Sequence, residues 1–413
     1  MEWYYYIILM MIASQFVSVL EAYSNYRFAV KKYNKNRSYR PRTVVIVPCK
    51  GTDASFEKNI TSLFEQDYDN YLLWFVVSDE SDPAYNLLCG LKEQLRDKNK
   101  AVGVQIFVAG PAGNCSQKNH NLLYCSERMG SDIDVLAVAD SDICVGPNWL
   151  GHLVYPLRKA KYGATSGYRW FVPQKNNPAT LALSALNAKV AQLLGNSPFN
   201  QVWGGSMAIR FDVFRRIGID KIWSQTLSDD LSLARAVRKA GLKVAFVPAC
   251  LVASYESTTW PKLFEFARRQ FLITRIFAPV TWWFGLLSSL LSVLGLWAGA
   301  ALALLFHPSA FVARFLVVAL PVVFLAGQVI RAIYRQKMIF RLLEKDRDLM
   351  RTACAVDILF SWGWSALMLF FILSSAFGSE ICWRGIRYKL SGPTKITVID
   401  SLQQQQLSIS GKK

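Results

Sequence analysis

Two carboxylates one residue apart, Asp140 and Asp142, follow the apolar run Val135-Leu136-Ala137-Val138-Ala139. That spacing suits a hard divalent cation, Mg²⁺ or Mn²⁺, which takes carboxylates and phosphates in preference to nitrogen or sulfur. The same acids could also do no more than cap the next turn. Two other acidic turns are candidates beside them. Asp79 follows the strand-like run Tyr71 to Val77, where it could accept hydrogen bonds from a base or ribose, or cap the following helix. Asp229 and Asp230 follow Ser228 at the head of an amphipathic stretch ending near Gly241. They are ordinary complements to a helix dipole, or one of them is a general base. The three histidines, His120, His152 and His307, sit in no nucleophile motif, and no G-x-S-x-G occurs, so acid–base work falls to Asp or Glu.

Elements able to carry these groups can be read in order. Thr43 to Pro48 is a β-rich run, Ser55 to Gln66 a helix with apolar Phe56, Ile60, Leu63 and Phe64, and Tyr71 to Val77 a second strand. A helix over Ala84 to Arg96, a strand over Val102 to Val108 and a helix from near Lys118 lead to the apolar run before Asp140. Strand and helix alternate as in a doubly wound α/β sheet, whose ligands bind at the carboxyl ends of the strands. Lys50, just past the first strand, is a candidate contact to a bound nucleotide. Lys118, in a glycine-rich loop beside the expected site, is a solvated lysine or a contact to phosphate. Trp203, ahead of Gly204-Gly205, reads as core or as the wall of an acceptor cleft whose glycines let backbone approach a ligand.

The chain also carries four apolar runs of spanning length: Trp3 to Leu20, Thr281 to Phe306, Phe311 to Ile330 and Ala353 to Phe377. A net charge of +18 over 413 residues gathers beside them, at Lys31 to Arg42 and at Arg331 to Arg351. By the positive-inside pattern the middle of the chain faces the cytosol, and anionic headgroups, not nucleic acid, balance the charge. The eight cysteines show no C-x-x-C spacing, which fits reduced thiols. A full fourth crossing would put the basic tail outside, so 353–377 is expected to dip into the bilayer and return. The expected layout is a membrane helix at 1–22, a basic linker at 23–42 and a cytosolic catalytic domain at 43–258. An interfacial helix at 259–280, membrane helices over 281–377 and a basic cytosolic tail at 378–413 complete it.

Taken in sequence, the motifs SDESDPA, SQKNHNLL, ADSD and SDDLSLARAV, with the tail motif ICWRGIRYKL, resemble the inverting GT-A glycosyltransferases of the family-2 type, most closely ceramide glucosyltransferases. The similarity covers 43–275 and resumes in the tail. It implies a GT-A (Rossmann-like) domain plus membrane helices, acting on a UDP-sugar donor with Mn²⁺ or Mg²⁺. Asp79 would contact the uridine, Lys118 would match the family's loop lysine, and Asp140 and Asp142 would form the metal-binding DxD. Asp230 would be the catalytic base, with Asp229 where the family usually has Glu. The family's Q/R-x-x-R-W segment falls near Ala267 to Phe271, where Gln270-Phe271 replaces Arg-Trp, so Arg268, Arg269 and Gln270 are the candidates for diphosphate or acceptor contact. The expected reaction moves glucose, or a similar hexose, to a hydroxyl of a membrane lipid such as ceramide. A processive polysaccharide synthase and a non-catalytic nucleotide-binding fold are the alternatives.

Overall fold

The computed structural model describes residues 3–33, 38–306, 308, 310–383 and 386–401. Lys35, Arg37, His307, Arg384 and the tail past 401 therefore lie outside the described residues. A long helix α1 (Trp3–Tyr33) leads into strand β1 (Thr43–Pro48), helix α2 (Phe56–Phe64), β2 (Tyr71–Val77), α3 (Pro83–Gln94), β3 (Gly103–Val108), α4 (Gln117–Ser126) and β4 (Val135–Ala139). These match the elements read from the sequence closely, because alternating buried strands and amphipathic helices leave little ambiguity. Next come α5 (Trp149–Val154), β5 (Tyr162–Pro173), α6 (Pro178–Ala191), β6 (Ser206–Arg210), α7 (Phe211–Arg216), α8 (Ile219–Trp223), α9 (Asp229–Lys239) and β7 (Lys243–Glu256). Among the described residues the strands form a seven-stranded sheet in the order β3-β2-β1-β4-β6-β5-β7, with β6 antiparallel to both β4 and β5. One sheet face is sealed by residues such as Ile60, Leu63, Phe75 and Leu150, the other by Leu122, Leu136, Trp223 and Leu233. Each such buried side chain contributes about 1.5–3 kcal/mol.

Past the sheet lie α10 (Trp260–Phe277), α11 (Pro279–Val293), α12 (Gly299–Leu305), α13 (Phe311–Leu342), α14 (Arg351–Leu359) and α15 (Ser361–Ser374). A π-helical turn, Leu294–Ala298, joins α11 to α12, and there Gly295 admits the ring of Phe324 where a Cβ would collide. Among the described residues three helices are long and apolar enough to cross a membrane: α1, α11 with α12, and α13. Basic residues extend α13 well past the apolar run that ends at Ile330.

The fourth apolar run is no straight span. Helices α14 and α15 meet at 86°. At about 1.5 Å per residue neither alone covers a hydrocarbon core of about 30 Å. Both outer ends of the pair are tied to other elements. Near the start of α14, the Asn176 amide donates to Thr352 Oγ1 at 3.4 Å. Past the end of α15, Trp282 Nε1 donates to Ser375 Oγ at 2.9 Å and Arg268 to the carbonyls of Ser374 and Phe377, both at 3.1 Å.

Two segments make contacts that the sequence alone does not show. Helix α10 is wedged against other elements through Leu263, Ala267, Leu272 and Phe277, all buried. The tail expected at 378–413 folds over 380–401 into an antiparallel sheet, β8 (Glu380–Trp383), β9 (Ile386–Gly392) and β10 (Lys395–Ser401). Its Ile381, Tyr388 and Leu390 pack with Leu272 and Phe277 of α10 and with Leu227, next to the acidic turn of α9.

Candidate active site

Three chain segments meet at the carboxyl end of β4. The turn after that strand is pinned from two sides. The Asp140 N–H donates to the Gly205 carbonyl at 3.2 Å, and Asn59 of α2 donates to the Ser141 carbonyl at 3.3 Å. Opposite it, the segment before α9 is held by α4 and by the C-terminal sheet. Asn119 donates to the Thr226 carbonyl at 2.8 Å, and the Thr226 hydroxyl donates to Pro393 at 2.9 Å. Gly204 and Gly205 run between the two turns. A Cβ on Gly204 would collide with the Asp229 carboxylate, and one on Gly205 with the Trp203 ring.

Lys118 ties these pieces together. It lies in the first turn of α4 and is neither solvated nor part of the glycine loop. Its ammonium sits 2.7 Å from Asp140 and 3.0 Å from Asp229, and donates to the Gly204 carbonyl at 3.2 Å. Burial works against the charge on Lys118, but Asp140, Asp229 and Asp230 outweigh it and raise its pKa. Asp229 is itself pushed up to about 6, by burial first and by Asp230 and Asp140 next, while Lys118 pulls it down.

The adjacent acids Asp229 and Asp230 thus have different surroundings. Asp229 is buried, with 5% of its side chain exposed, and is committed to Lys118. Asp230 is partly exposed and is oriented by three donors: the Ser228 hydroxyl at 2.5 Å, the Leu231 N–H at 2.7 Å and the Gly204 N–H at 3.2 Å. Ser228 supplies the N-cap, leaving Asp230 fixed at the site and reachable.

Asp79 lies on the same edge, on the turn after β2, exposed, with its pKa lowered by the hydrogen bonds from Ser81. The helix-capping role belongs to Asp82, which accepts from Ala84 and from Gly51, both at 2.9 Å. Lys50 follows β1, whose Pro48 pairs with Val76 of β2, so it shares that edge. Asp142 is exposed, and Asn148, not either acid of the turn, stands at the N-cap of α5.

A second wall was only partly legible in the sequence. Trp203 meets Tyr168 edge to face, with ring centroids 6.1 Å apart. The Arg169 guanidinium lies over Phe171, Phe266 and Trp203 at 4.7, 5.6 and 5.8 Å. Glu256, closing β7, has its carboxyl raised by burial, against the pull of Arg169 and with Asp142 and Asp53 adding to the rise. Arg169 belongs to the aromatic run Tyr168-Arg169-Trp170-Phe171, which the sequence offers as a cleft wall without giving the arginine a role of its own; Glu256 was not among the expected residues and had no signal. Of the three candidates on α10, Arg268 is not brought here, being committed to the end of α15. Arg269 donates to the Cys382 carbonyl at 3.3 Å and lies within the field of Arg169, while the Gln270 side chain is exposed. Among the described residues no group of three or more His, Cys, Asp or Glu side chains could enclose a metal ion. His120 bonds the Ala109 carbonyl at 2.9 Å.

Two solved structures are similar to this chain at low identity. A mannosyltransferase, PcManGT from Pyrobaculum calidifontis, in complex with GDP-Man and Mn²⁺, aligns over 90% of this chain and 96% of its own, with 16% identity and a TM-score of 0.48. GalNAc-T7 with UDP, GalNAc and Mn²⁺ aligns over 57% of this chain and 51% of its own, with 13% identity and a TM-score of 0.39. The sequence model of glycosyl transferase family 21 matches residues 6–396, from helix α1 into the C-terminal sheet. The chain therefore belongs to glycosyl transferase family 21, the ceramide glucosyltransferase family, and is a glycosyltransferase of the GT-A type.

Proposed function

We propose that the protein transfers glucose, or a similar hexose, from a UDP-sugar to the hydroxyl of a membrane lipid, ceramide or a ceramide-like acceptor, with inversion at the anomeric carbon. The observation that carries this reading is the Lys118 bridge, which joins the Asp140 turn to the Asp229-Asp230 turn within one site. In this reading Asp230 accepts the proton of the acceptor hydroxyl. The freed oxygen forms a bond to the anomeric carbon from the face opposite the diphosphate, and UDP departs with the electron pair of the broken bond. A positioned base supplies about 10²–10⁴-fold of rate. Asp79 and Lys50 serve the nucleotide, and Lys118 keeps Asp229 and Asp140 in place. Trp203, with the arginine-bearing aromatic wall, orients the acceptor.

Asp140 and Asp142 offer a donor set that fits Mg²⁺ or Mn²⁺. Both are hard carboxylates on a rigid turn, and they are too few to enclose an ion, which suits a cation completed by diphosphate and water. Such an ion, when bound, neutralises charge building on the leaving diphosphate. Lipid as the acceptor is supported by continuity: α10 and the membrane helices follow the site directly, and Phe266 of α10 lines its aromatic wall. The basic end of α13 favours the cytosolic side for the catalytic domain. With α1, α11–α12 and α13 crossing, and α14–α15 dipping in and returning, the C-terminal sheet remains on that side.

The test is a donor and acceptor screen. The full chain in lipid nanodiscs receives UDP-glucose, Mn²⁺ and ceramide, then other nucleotide sugars and hydroxylated lipids, with mass detection. A glycolipid one hexose heavier than the acceptor is expected. Sugar polymer without lipid would move the reading to a synthase, and no product with any pair would overturn it.

A further inference from the structure

A second charged cluster lies where α6 meets α13, α14 and α15, away from the acidic site. Asp357 of α14 and Arg335 of α13 form a fully buried pair with bonds of 2.5 and 2.6 Å, and Gln336 adds a third donor at 2.7 Å. The Asp357 carboxylate is thus fully engaged by that pair and one amide. Two further cations share its surroundings. Lys189 of α6 donates to the Ser365 hydroxyl at 3.0 Å and has no ion pair among the described residues. Arg331, one turn before Arg335, makes no hydrogen bond or ion pair among the described residues, and its Nε is buried without a partner. The nearest opposing field on Arg331 comes from Glu21 of α1, an exposed residue. Burial holds the Lys189 ammonium well below its ordinary range, Arg331 and Arg335 pushing the same way and Asp357 against.

Two guanidiniums, with Lys189 beside them ready to hold its proton once an anion pairs with it, against one saturated carboxylate leave positive charge in a poorly hydrated seam. Such charge is costly unless an anion pairs with it. Lys189 and Arg331 both keep part of their surface open, so they can be reached. Basic pockets between membrane helices at the headgroup level are where anionic lipid heads bind. We propose that Lys189 and Arg331 form a binding site for a phosphate group, occupied by the head of an anionic phospholipid held in the seam between α6 and α13. The site has a short route to the acceptor wall. Two residues before Lys189 on α6, Asn187 accepts from the Phe171 N–H at 3.2 Å, and the Phe171 ring backs Arg169. The proposal does not depend on which sugar or acceptor the enzyme uses.

Native mass spectrometry of the full chain tests it without an activity assay. The protein is equilibrated with equal amounts of phosphatidylglycerol and phosphatidylcholine, then stripped of loosely held lipid. At about 1 kcal/mol per cation, two cations give phosphatidylglycerol roughly a thirtyfold preference. The double variant Lys189→Gln/Arg331→Gln is expected to bring that ratio close to one. A charge-matched control, Lys98→Gln/Lys100→Gln on an exposed loop, is expected to keep it. Glycerol phosphate, added alone, separates a free phosphate from a lipid head. Its retention in place of phosphatidylglycerol would overturn the lipid assignment. Equal retention of both lipids by the wild type, or an unchanged ratio in the double variant, would overturn the site. The wild-type comparison decides the matter even if the double variant fails to fold.

Discussion

Among the described residues, two ion clusters carry opposite imbalances. Around Lys118, one cation faces Asp140 and Asp229, with Asp230 close by. Around Asp357, one carboxylate faces Arg335 and has Lys189 in its field, while Arg331 adds its charge to that of Arg335 and Lys189. The acid-rich cluster sits at the carboxyl edge of a sheet, where a substrate proton and a cation would complete it. The base-rich cluster sits where α6 packs on α13, α14 and α15, and there an anion would complete it. A buried network with balanced charge needs no ligand. A surplus of either sign says what kind of partner is missing.

Separating the roles of the two acids at the start of α9 should produce the largest effect. Asp230→Asn is expected to cut kcat by about 10²–10⁴-fold with UDP-sugar binding retained, measured by turnover and by donor titration. Equal turnover in the variant would remove Asp230 as the base. Next comes Lys118→Met, which leaves Asp229 buried beside two other acids. Breaking such a pair costs about 3–5 kcal/mol, read as a lower unfolding midpoint together with lost transfer. The matching change on the other side, Asp357→Asn, frees Arg335 among like charges and is expected to cost a similar 3–5 kcal/mol. It should leave UDP-sugar affinity within about threefold of wild type, a shift worth less than 1 kcal/mol. A large loss of donor affinity would mean that the two clusters are coupled.

The smallest effect is a pH limb. Asp229 titrates near 6 in the fold against 3.8 ordinarily. Because its folded pKa is raised, its contribution to stability is full below about 3.8 and is lost as pH rises through about 6. Activity should run the other way, since the proton that relieves burial also releases Lys118. The rate is expected to fall as pH drops through about 6, and Asp229→Asn should flatten that limb. A limb unchanged in the variant would assign it to another group.

Legibility in the sequence followed the same division. The strands and helices from Thr43 to Ala139 were readable to within a few residues, because each alternates buried and open positions or is apolar throughout. The acidic turns were readable as candidates, since a strand that ends in Asp delivers it to the sheet edge. What each acid does was not. Nothing local says that Asp82 and not Asp79 caps α3, or that Asp229 is consumed by Lys118 over a hundred residues away while Asp230 stays open. The wall of Arg169 and Glu256 depends on β5 pairing with β7, a long-range register. On α10, Arg268 and Arg275 stand seven residues apart and so share one side of the helix. Both grip the backbone near the end of α15, Arg275 through the Ala376 and Gly378 carbonyls, which removes Arg268 from the acceptor side. The C-terminal sheet escaped notice because short, charged strands read as a basic tail until a partner surface is known.

The most direct measurement is the anomeric configuration of the product. The α-linked donor UDP-glucose and ceramide are supplied to the full chain in nanodiscs, and the glycolipid is examined by proton NMR. With Asp230 acting from the face opposite the diphosphate, the expected product is β-linked, with a large coupling at the anomeric proton. An α-linked product would contradict single-step displacement at this site.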